Sequence, residues 1–423
     1  MFKRAFSHQN YRLFFFGQGI SLVGTWMQQI AMTWLVYHVT KSEWLLGVVS
    51  FAGQIPTFFV APFAGVLTDR WNRQRTLLVT QSLAMLQAFL MALLTFMHWI
   101  SVWQIVVLAC LLGLINAFDM PTRQAFLNDI VTRKEDLPNA VAVNSSLVNG
   151  ARLIGPAIAG VVIGLSGEAF CFLLNGVSYL AVLWALWRMR LNRHRKPVKV
   201  EPIWLSLKEG VRYSFKFPPI RSILLLLGIT SVTSVSLSTL LPVFAAKLFS
   251  VGASGLAGLS AVSGAGALCG AIFLASRKSV LGLGQIIAFA TGVLGLGMVL
   301  FAYSEYTAIS LACLFVVGAG NIMQMAACNS LLHVIAEDGK RGRVLSFYIV
   351  SLLGMAPLGS LLAGYLGSTI GAAATVEVTG LVTIISAIVF KLQLPKMRSL
   401  ILPIYWQQGI VPAEPCPTAP PPE

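Results

Sequence analysis

Charge is scarce in this chain. Only 11% of its 423 residues are Asp, Glu, Lys or Arg, against about 25% in a soluble globular protein. Acidic residues are the rarer sign, 15 against 30 basic, for a net charge of +15. With 57% hydrophobic residues and a mean hydropathy of +0.78, this excludes an ordinary soluble enzyme. The six cysteines are scattered; Cys110, Cys171, Cys269, Cys313 and Cys328 lie in apolar segments without metal-ligand spacing, so neither disulfides nor a metal site is expected. Five histidines, His8, His38, His98, His194 and His333, fall in or beside helix ends and connections, away from any nucleophile and base that could act together. A GxxxxGK[ST] nucleotide loop is missing too. Neither an enzyme, a cofactor nor a nucleic-acid partner is expected.

What is present is a series of apolar runs of about 20 residues, the length of helix that crosses a hydrocarbon core. They predict spans near 11–38, 44–67, 76–98, 101–121, 138–164 and 167–187, then near 221–247, 252–276, 283–303, 307–333, 344–370 and 372–392. The basic start MFKRAFSHQNYRLFF runs into a stretch too long for a signal peptide and is expected to remain as the first span. Lys and Arg collect in the N-terminus, 68–75, 122–137, 188–220, Arg277–Lys278, 334–343 and the C-terminus, whereas alternate connections hold only Lys41 and Lys247. The positive-inside rule then places both termini in the cytoplasm.

Four parts follow. Residues 1–187 form one six-helix bundle; 188–220 a cytoplasmic connection, a basic tether continuing into an amphipathic helix with Ile203, Leu207, Val211 and Phe215 on one face; 221–392 a second bundle; and 393–423 a proline-rich disordered tail. The stretch ARLIGPAIAGVVIG at 151–164 resembles LLGMAPLGSLLAGYLG at 352–367, and one offset pairs both Pro156 with Pro357 and Ser145 with Ser346. The halves read as duplicates with a substrate site between them near the midplane.

Between spans 2 and 3 stands GVLTDRWNRQR, 65–75. A basic loop would satisfy topology alone; Asp69 is the residue that rule leaves unexplained. A carboxylate there can accept hydrogen bonds from the amino end of a neighbouring helix, and Arg73 can pair with a second carboxylate. The motif resembles the signature of the major facilitator superfamily, G-x-L-x-D-R-x-x-R, with Gly65, Leu67, Asp69, Arg70 and Arg73 matching and Trp71-Asn72 replacing its usual glycine. The resemblance implies an all-α membrane protein of twelve transmembrane helices in two pseudo-symmetric bundles, over roughly 5–395. Residues 118–160 resemble more narrowly the bacterial efflux branch that contains the enterobactin exporter, and Gly150, Gly155, Pro156 and Gly160 approximate the helix-5 glycine motif of drug antiporters.

Within the spans, Asp119 and Arg123 are one turn apart; in the superfamily such a carboxylate joins the loop charges, so Asp69, Arg73 and Asp119 are expected to form a cytosolic latch facing helix 11, with a proton-carrying role the alternative. Arg152, roughly 20 Å into helix 5, shares a stripe with Ser145, Asn149 and Pro156. An arginine at that depth needs a wet cavity or a carboxylate, which makes it an anion contact or, equally, a structural partner. Glu377 is a proton-exchange or interfacial group. Gln28, Gln29, Asn144, Asn321, Gln324 and Asn329 are expected to line the cavity, and Trp26, Trp34 and Met325 to pack. The reading is a monomeric secondary exporter in the bacterial inner membrane, moving an amphipathic small molecule, siderophore-like or a drug, against protons. A lysophospholipid flippase and a non-transporting sensor stay open as alternatives.

Overall fold

The computed structural model describes residues 5–131, 133–189, 212–248, 252–277, 279–337, 340–408 and 410, leaving aside the side chains of 61, 62, 65, 66, 69, 70, 134, 138 and 248. The apolar runs form the helices α1 (Gln9–Thr40), α2 (Glu43–Arg70), α3 (Arg73–Phe96), α4 (Val102–Ile130), α5 (Leu137–Ser166) and α6 (Glu168–Arg188). The second set is α7 (Pro218–Leu248), α8 (Ala253–Ala275), α9 (Leu283–Ala302), α10 (Thr307–Ile335), α11 (Arg341–Ile370) and α12 (Ala372–Gln407). Among the described residues, eleven helices are long and apolar enough to cross a membrane. α1 is the twelfth; Gln18, Ser21 and Gln28 lower its hydropathy, and all three are buried against neighbouring helices rather than facing lipid.

The packing repeats. In the first half α1 lies against α5 and α6, α2 against α4, and α3 against α4 and α6; in the second, α7 lies against α11 and α12, α8 against α10, and α9 against α10 and α12. Adding six to each number converts one list into the other. The halves meet through α2 with α11 and α5 with α8, a pair that the same operation exchanges. At the first of these seams a Cβ on Gly47 would stand 2.7 Å from the Ser360 carbonyl oxygen and 2.8 Å from Gly364 Cα, so only glycine permits the approach.

One end of the molecule, the basic end, carries the start of α1 and the α2–α3, α4–α5, α8–α9 and α10–α11 connections. There the halves have separate cores, one around Tyr11, Phe14, Leu77, Phe126 and Leu186, the other around Ile220, Leu227, Ile287, Leu331 and Phe390. Toward the opposite end a single core joins them, with Met27, Trp34, Leu46 and Phe172 in one cluster with Leu237, Phe244, Leu256 and Phe301. Two cores at one end and one at the other leave a cleft that opens at the basic end.

Two boundaries differ from the expected ones. α4 continues through Pro121 to Ile130 because Phe126, Leu127 and Ile130 are buried in the first half's core, so 122–130 is helix rather than loop. α12 continues to Gln407 through Pro395 and Pro403, burying Met397 and Ile401 beside Ile335 and Val344, so the tail does not begin at 393. Residues 190–211, with most of the expected amphipathic helix, and 411–423 lie outside the described residues. The connection's last turn is tied down: Lys340 stands over the Tyr213 ring at 4.4 Å and 2.8 Å from Glu337. That hydrogen bond holds the Glu337 carboxyl below its ordinary range and raises the Lys340 ammonium.

Candidate substrate site

The sharp turn of the 65–75 motif is made without its usual glycine. Trp71 closes α2 in an extended conformation and Asn72 caps α3, its side chain accepting a hydrogen bond from the Arg75 amide at 3.2 Å. Trp71 then stacks on Phe118 of α4, ring centroids 6.1 Å apart. Gly65, Asp69 and Arg70 occupy the last turns of α2; their side chains, and with them the expected Asp69 contact to α11, lie outside the described residues.

Arg73 does not meet Asp119. Its Nη1 donates to Asp129 Oδ1 at 3.1 Å and to the Ala125 carbonyl at 2.9 Å, both on the part of α4 read as loop. Asp119 sits deeper, buried between α3 and α4, and accepts from Thr80 Oγ1 at 2.9 Å, from Gln81 Nε2 at 2.7 Å and from the Arg123 guanidinium. Three donors converge on one buried carboxylate. Of the expected latch, the Arg73–Asp119 contact is not the one formed: two carboxylates on one helix hold two different arginines, and the part that involves Asp69 lies outside the described residues.

Several of the expected cavity residues are structural. Gln28 accepts from Asn175 at 2.7 Å and donates to Gln87 at 3.0 Å, and Gln87 donates to the Leu108 carbonyl at 3.3 Å, a buried chain joining α1, α6, α3 and α4. Gln324 donates to Thr230 Oγ1 at 2.9 Å, buried between α10 and α7. Neither faces a cavity, because in each case a second polar side chain on a packed helix uses up the amide. Glu377 accepts from the exposed Tyr303 hydroxyl at 2.5 Å at the end opposite the cleft mouth.

Arg152 and Asn149 share one strip of α5. On α5, Gly155 packs so closely on α1 that a Cβ would lie 2.5 Å from Trp26 Cβ and 2.9 Å from the Val23 carbonyl oxygen, and Gly160 faces Ala257 of α8. Those two contacts fix the rotation of α5. At about 100° per residue, Arg152, Ser145, Asn149 and Pro156 then share the strip between α1 and α8. The Arg152 guanidinium stands 5.5 Å from the Trp26 ring centre, and among the described residues it makes no hydrogen bond or ion pair. The Arg152 carbonyl and Leu153 lie against Gly264 of α8, and seam contacts continue from there to Gly164, against Ser254. Arg152 therefore marks the closed end of the cleft. Asn149 spends its amide N–H on the Ser145 carbonyl at 2.9 Å. Gln29 is exposed, while Asn144 and Asn321 are half-buried without a side-chain hydrogen bond among the described residues.

Pro156 and its counterpart Pro357 act alike on their helices, each removing an amide from a helix interior. In α11 the turn before Pro357, Val350–Gly354, is π-helical, and Ser231 of α7 donates to the Leu352 carbonyl at 2.5 Å.

The model of the transmembrane secretion effector family matches residues 4–411. The chain belongs to that family, a branch of the major facilitator superfamily. It is 27% identical to the staphyloferrin A transporter of Staphylococcus aureus, over 90% of this chain and 95% of that one. It is 25% identical to the multidrug efflux pump Tap of Mycolicibacterium fortuitum, over 91% and 93%. Among solved structures, a bacterial homologue of the human lysosomal transporter Spinster, in an inward-facing and unoccupied conformation, superimposes with a TM-score of 0.72 at 14% identity, covering 96% of this chain and 99% of that one. A bacterial homologue of ferroportin gives 0.68 at 14%, over 90% and 98%. The protein is a multi-span membrane transporter, and its relatives include both siderophore and multidrug transporters.

The residues that sequence reasoning missed have different histories. Asp129 is hidden because its stretch reads as loop, although its position about three turns beyond Asp119 along a continued helix offers it to Arg73. Trp26 was assigned to packing; its spacing of three from Gln29 places both on one face of α1, and that was the available signal.

Proposed function

We propose that this transporter exports an amphipathic anionic small molecule, a siderophore-like metabolite or an acidic drug, by alternating access driven by inward proton flow. It works as a monomer in the bacterial inner membrane with the basic end, both termini included, in the cytoplasm; the distribution of Lys and Arg supports that orientation. The observation that carries the reading is Arg152. A cation at the closed end of the cleft, stacked on Trp26 and without a carboxylate partner among the described residues, offers its guanidinium fork to an anion, and the indole beside it offers an apolar surface. An amphipathic anion satisfies both. The relatives named for staphyloferrin A and for multidrug efflux support the direction and the kind of cargo.

The test is untargeted mass spectrometry of medium and cell extract from gene-deleted cells, complemented with the wild-type gene or with Arg152→Gln, under iron-limited and iron-replete growth. One anionic metabolite is expected to fall outside and rise inside the deleted cells, with wild type restoring it and Arg152→Gln failing to. Indistinguishable media under both conditions overturn the metabolite reading, and full restoration by Arg152→Gln overturns the assignment of Arg152 as the anion contact.

A further inference from the structure

The face of α5 turned away from Arg152 carries a second feature. There α1 and α5 leave a groove of about 550 Å³ lined by Phe16, Ile20, Leu147, Gly150, Ile154 and Ile158, within the size range of small-molecule pockets, about 300–1,000 Å³. Phe16 is 63% exposed, Ile20 55% and Ile154 49%, and the same strip of α5 continues into Val161 and Leu165, at 62% and 82%. Side chains this apolar and this open, on two membrane-spanning helices, face hydrocarbon. The groove is thus separated from the cleft by the α1–α5 contact at Gly155.

At its basic-end mouth stands Arg12, four residues and so one helical turn before Phe16 on α1. Arg12 is exposed, and among the described residues its side chain has no hydrogen bond or ion pair. The starts of α1 and α5 are held together beside it, with Tyr11 donating to the Ala140 carbonyl at 3.0 Å and His8 3.1 Å from Asp136. The neighbouring carboxylate is thereby engaged by His8. Within the wall of the groove, a Cβ on Gly150 would meet nothing within 4 Å; the glycine leaves space that no described side chain occupies.

We propose that this groove is a binding site for one anionic glycerophospholipid, its acyl chain lying along Phe16, Ile20, Ile154 and Ile158 and its phosphate paired with Arg12. An apolar trough at membrane depth ending in an exposed cation at headgroup level matches a molecule with a long hydrocarbon arm and an anion at one end, and matches neither a zwitterionic lipid nor a free phosphate as well. The site is independent of the export reading, since it lies on the opposite face of α5 and uses none of the cleft residues.

The test is native mass spectrometry of the full-length protein released from detergent after incubation with palmitoyl-oleoyl phosphatidylglycerol or the matching phosphatidylcholine. Wild type is expected to retain phosphatidylglycerol about five-fold better, the effect of one surface cation. Arg12→Gln should retain the two lipids equally. Gly150→Leu, whose Cβ meets nothing within 4 Å and whose side chain raises helix propensity, should lose the bound lipid while keeping the wild-type melting temperature. Glycerol 3-phosphate, the headgroup without the chain, should fail to compete. Retention by Gly150→Leu equal to wild type, no preference of wild type between the two lipids, or displacement by glycerol 3-phosphate each overturns the proposal, the last by showing a plain phosphate site.

Discussion

Arg73 Nη1 lies 3.1 Å from Asp129 Oδ1, while Asp119, ten residues earlier on the same helix, is held by Arg123. The two pairs sit in different surroundings. Side-chain exposure is 16% and 28% for Arg73 and Asp129 but 2% for Asp119, and that difference decides what each substitution should do.

The Arg73–Asp129 pair ties α3 to the end of α4 at the mouth of the cleft, where water screens it. Its contribution to stability is expected to be modest, of the order of 0.2–1 kcal/mol. Its effect on export should be larger, because the contact positions the end of α3 that adjoins the 65–75 motif. Arg73→Gln and Asp129→Asn should each slow export while shifting the melting temperature little, and the double variant should be no slower than the worse single one. A double-mutant cycle on transport rate checks this; additive losses would show that the two residues act separately.

Asp119 presents the opposite case. Replacing it with Leu leaves Arg123 without its anion and the donors Thr80 and Gln81 without their acceptor, a loss of about 3–5 kcal/mol for breaking a buried pair. Removing both charges as Asp119→Leu/Arg123→Leu should recover much of that, since the desolvation of a lone arginine disappears. Thermal unfolding in detergent is the measurement: a low melting temperature for the single variant and a partly restored one for the double. A proton-carrying Asp119 would instead leave the double variant stable but uncoupled, with export insensitive to a pH gradient that drives the wild type.

How much of this was legible in the chain follows from what each residue faces. The twelve helices were readable because lipid demands long apolar runs and basic residues punctuate them. The Asp119–Arg123 pair was readable because a spacing of four on a helix is itself a contact rule. Gln28 and Gln324 were not: a glutamine in an apolar helix reads the same whether it lines a cavity or bonds to Gln87 or Thr230, and only the partner helix decides. The ends of α4 and α12 were overrun for a related reason. Pro121 and Pro395 read as stops, yet tertiary burial of Phe126 and Met397 outweighs the lost hydrogen bonds.

Arg152 and Trp26 can be separated by substitution. Arg152→Lys keeps the charge but gives up the planar fork, so export of an anionic cargo should weaken without vanishing, whereas Arg152→Gln should abolish it. Trp26→Leu removes the ring under the guanidinium, and a cation–π contact of about 0.5–2 kcal/mol predicts a two- to thirty-fold loss in apparent affinity. The measurement is concentration-dependent uptake into inverted membrane vesicles of the metabolite found by mass spectrometry. Equal behaviour of Lys and Gln at 152 would mean that geometry, not charge, is what the cargo reads.

Alternating access itself makes a demand on the far seam. The structure is closed there, with Gln54 Nε2 donating to Ser360 Oγ at 3.2 Å across α2 and α11, next to the Gly47–Gly364 approach. If the cargo leaves at that end, those two helices must part in every cycle. With cysteines at both positions, Gln54→Cys and Ser360→Cys, a short bifunctional methanethiosulfonate reagent should bridge the halves and stop export, and a reductant should restore it. Each single-cysteine variant should tolerate the reagent. Export continuing through an intact bridge would mean that the halves do not separate at this seam, and the duplicated contacts α2–α11 and α5–α8 would then act as a fixed hinge rather than as a gate.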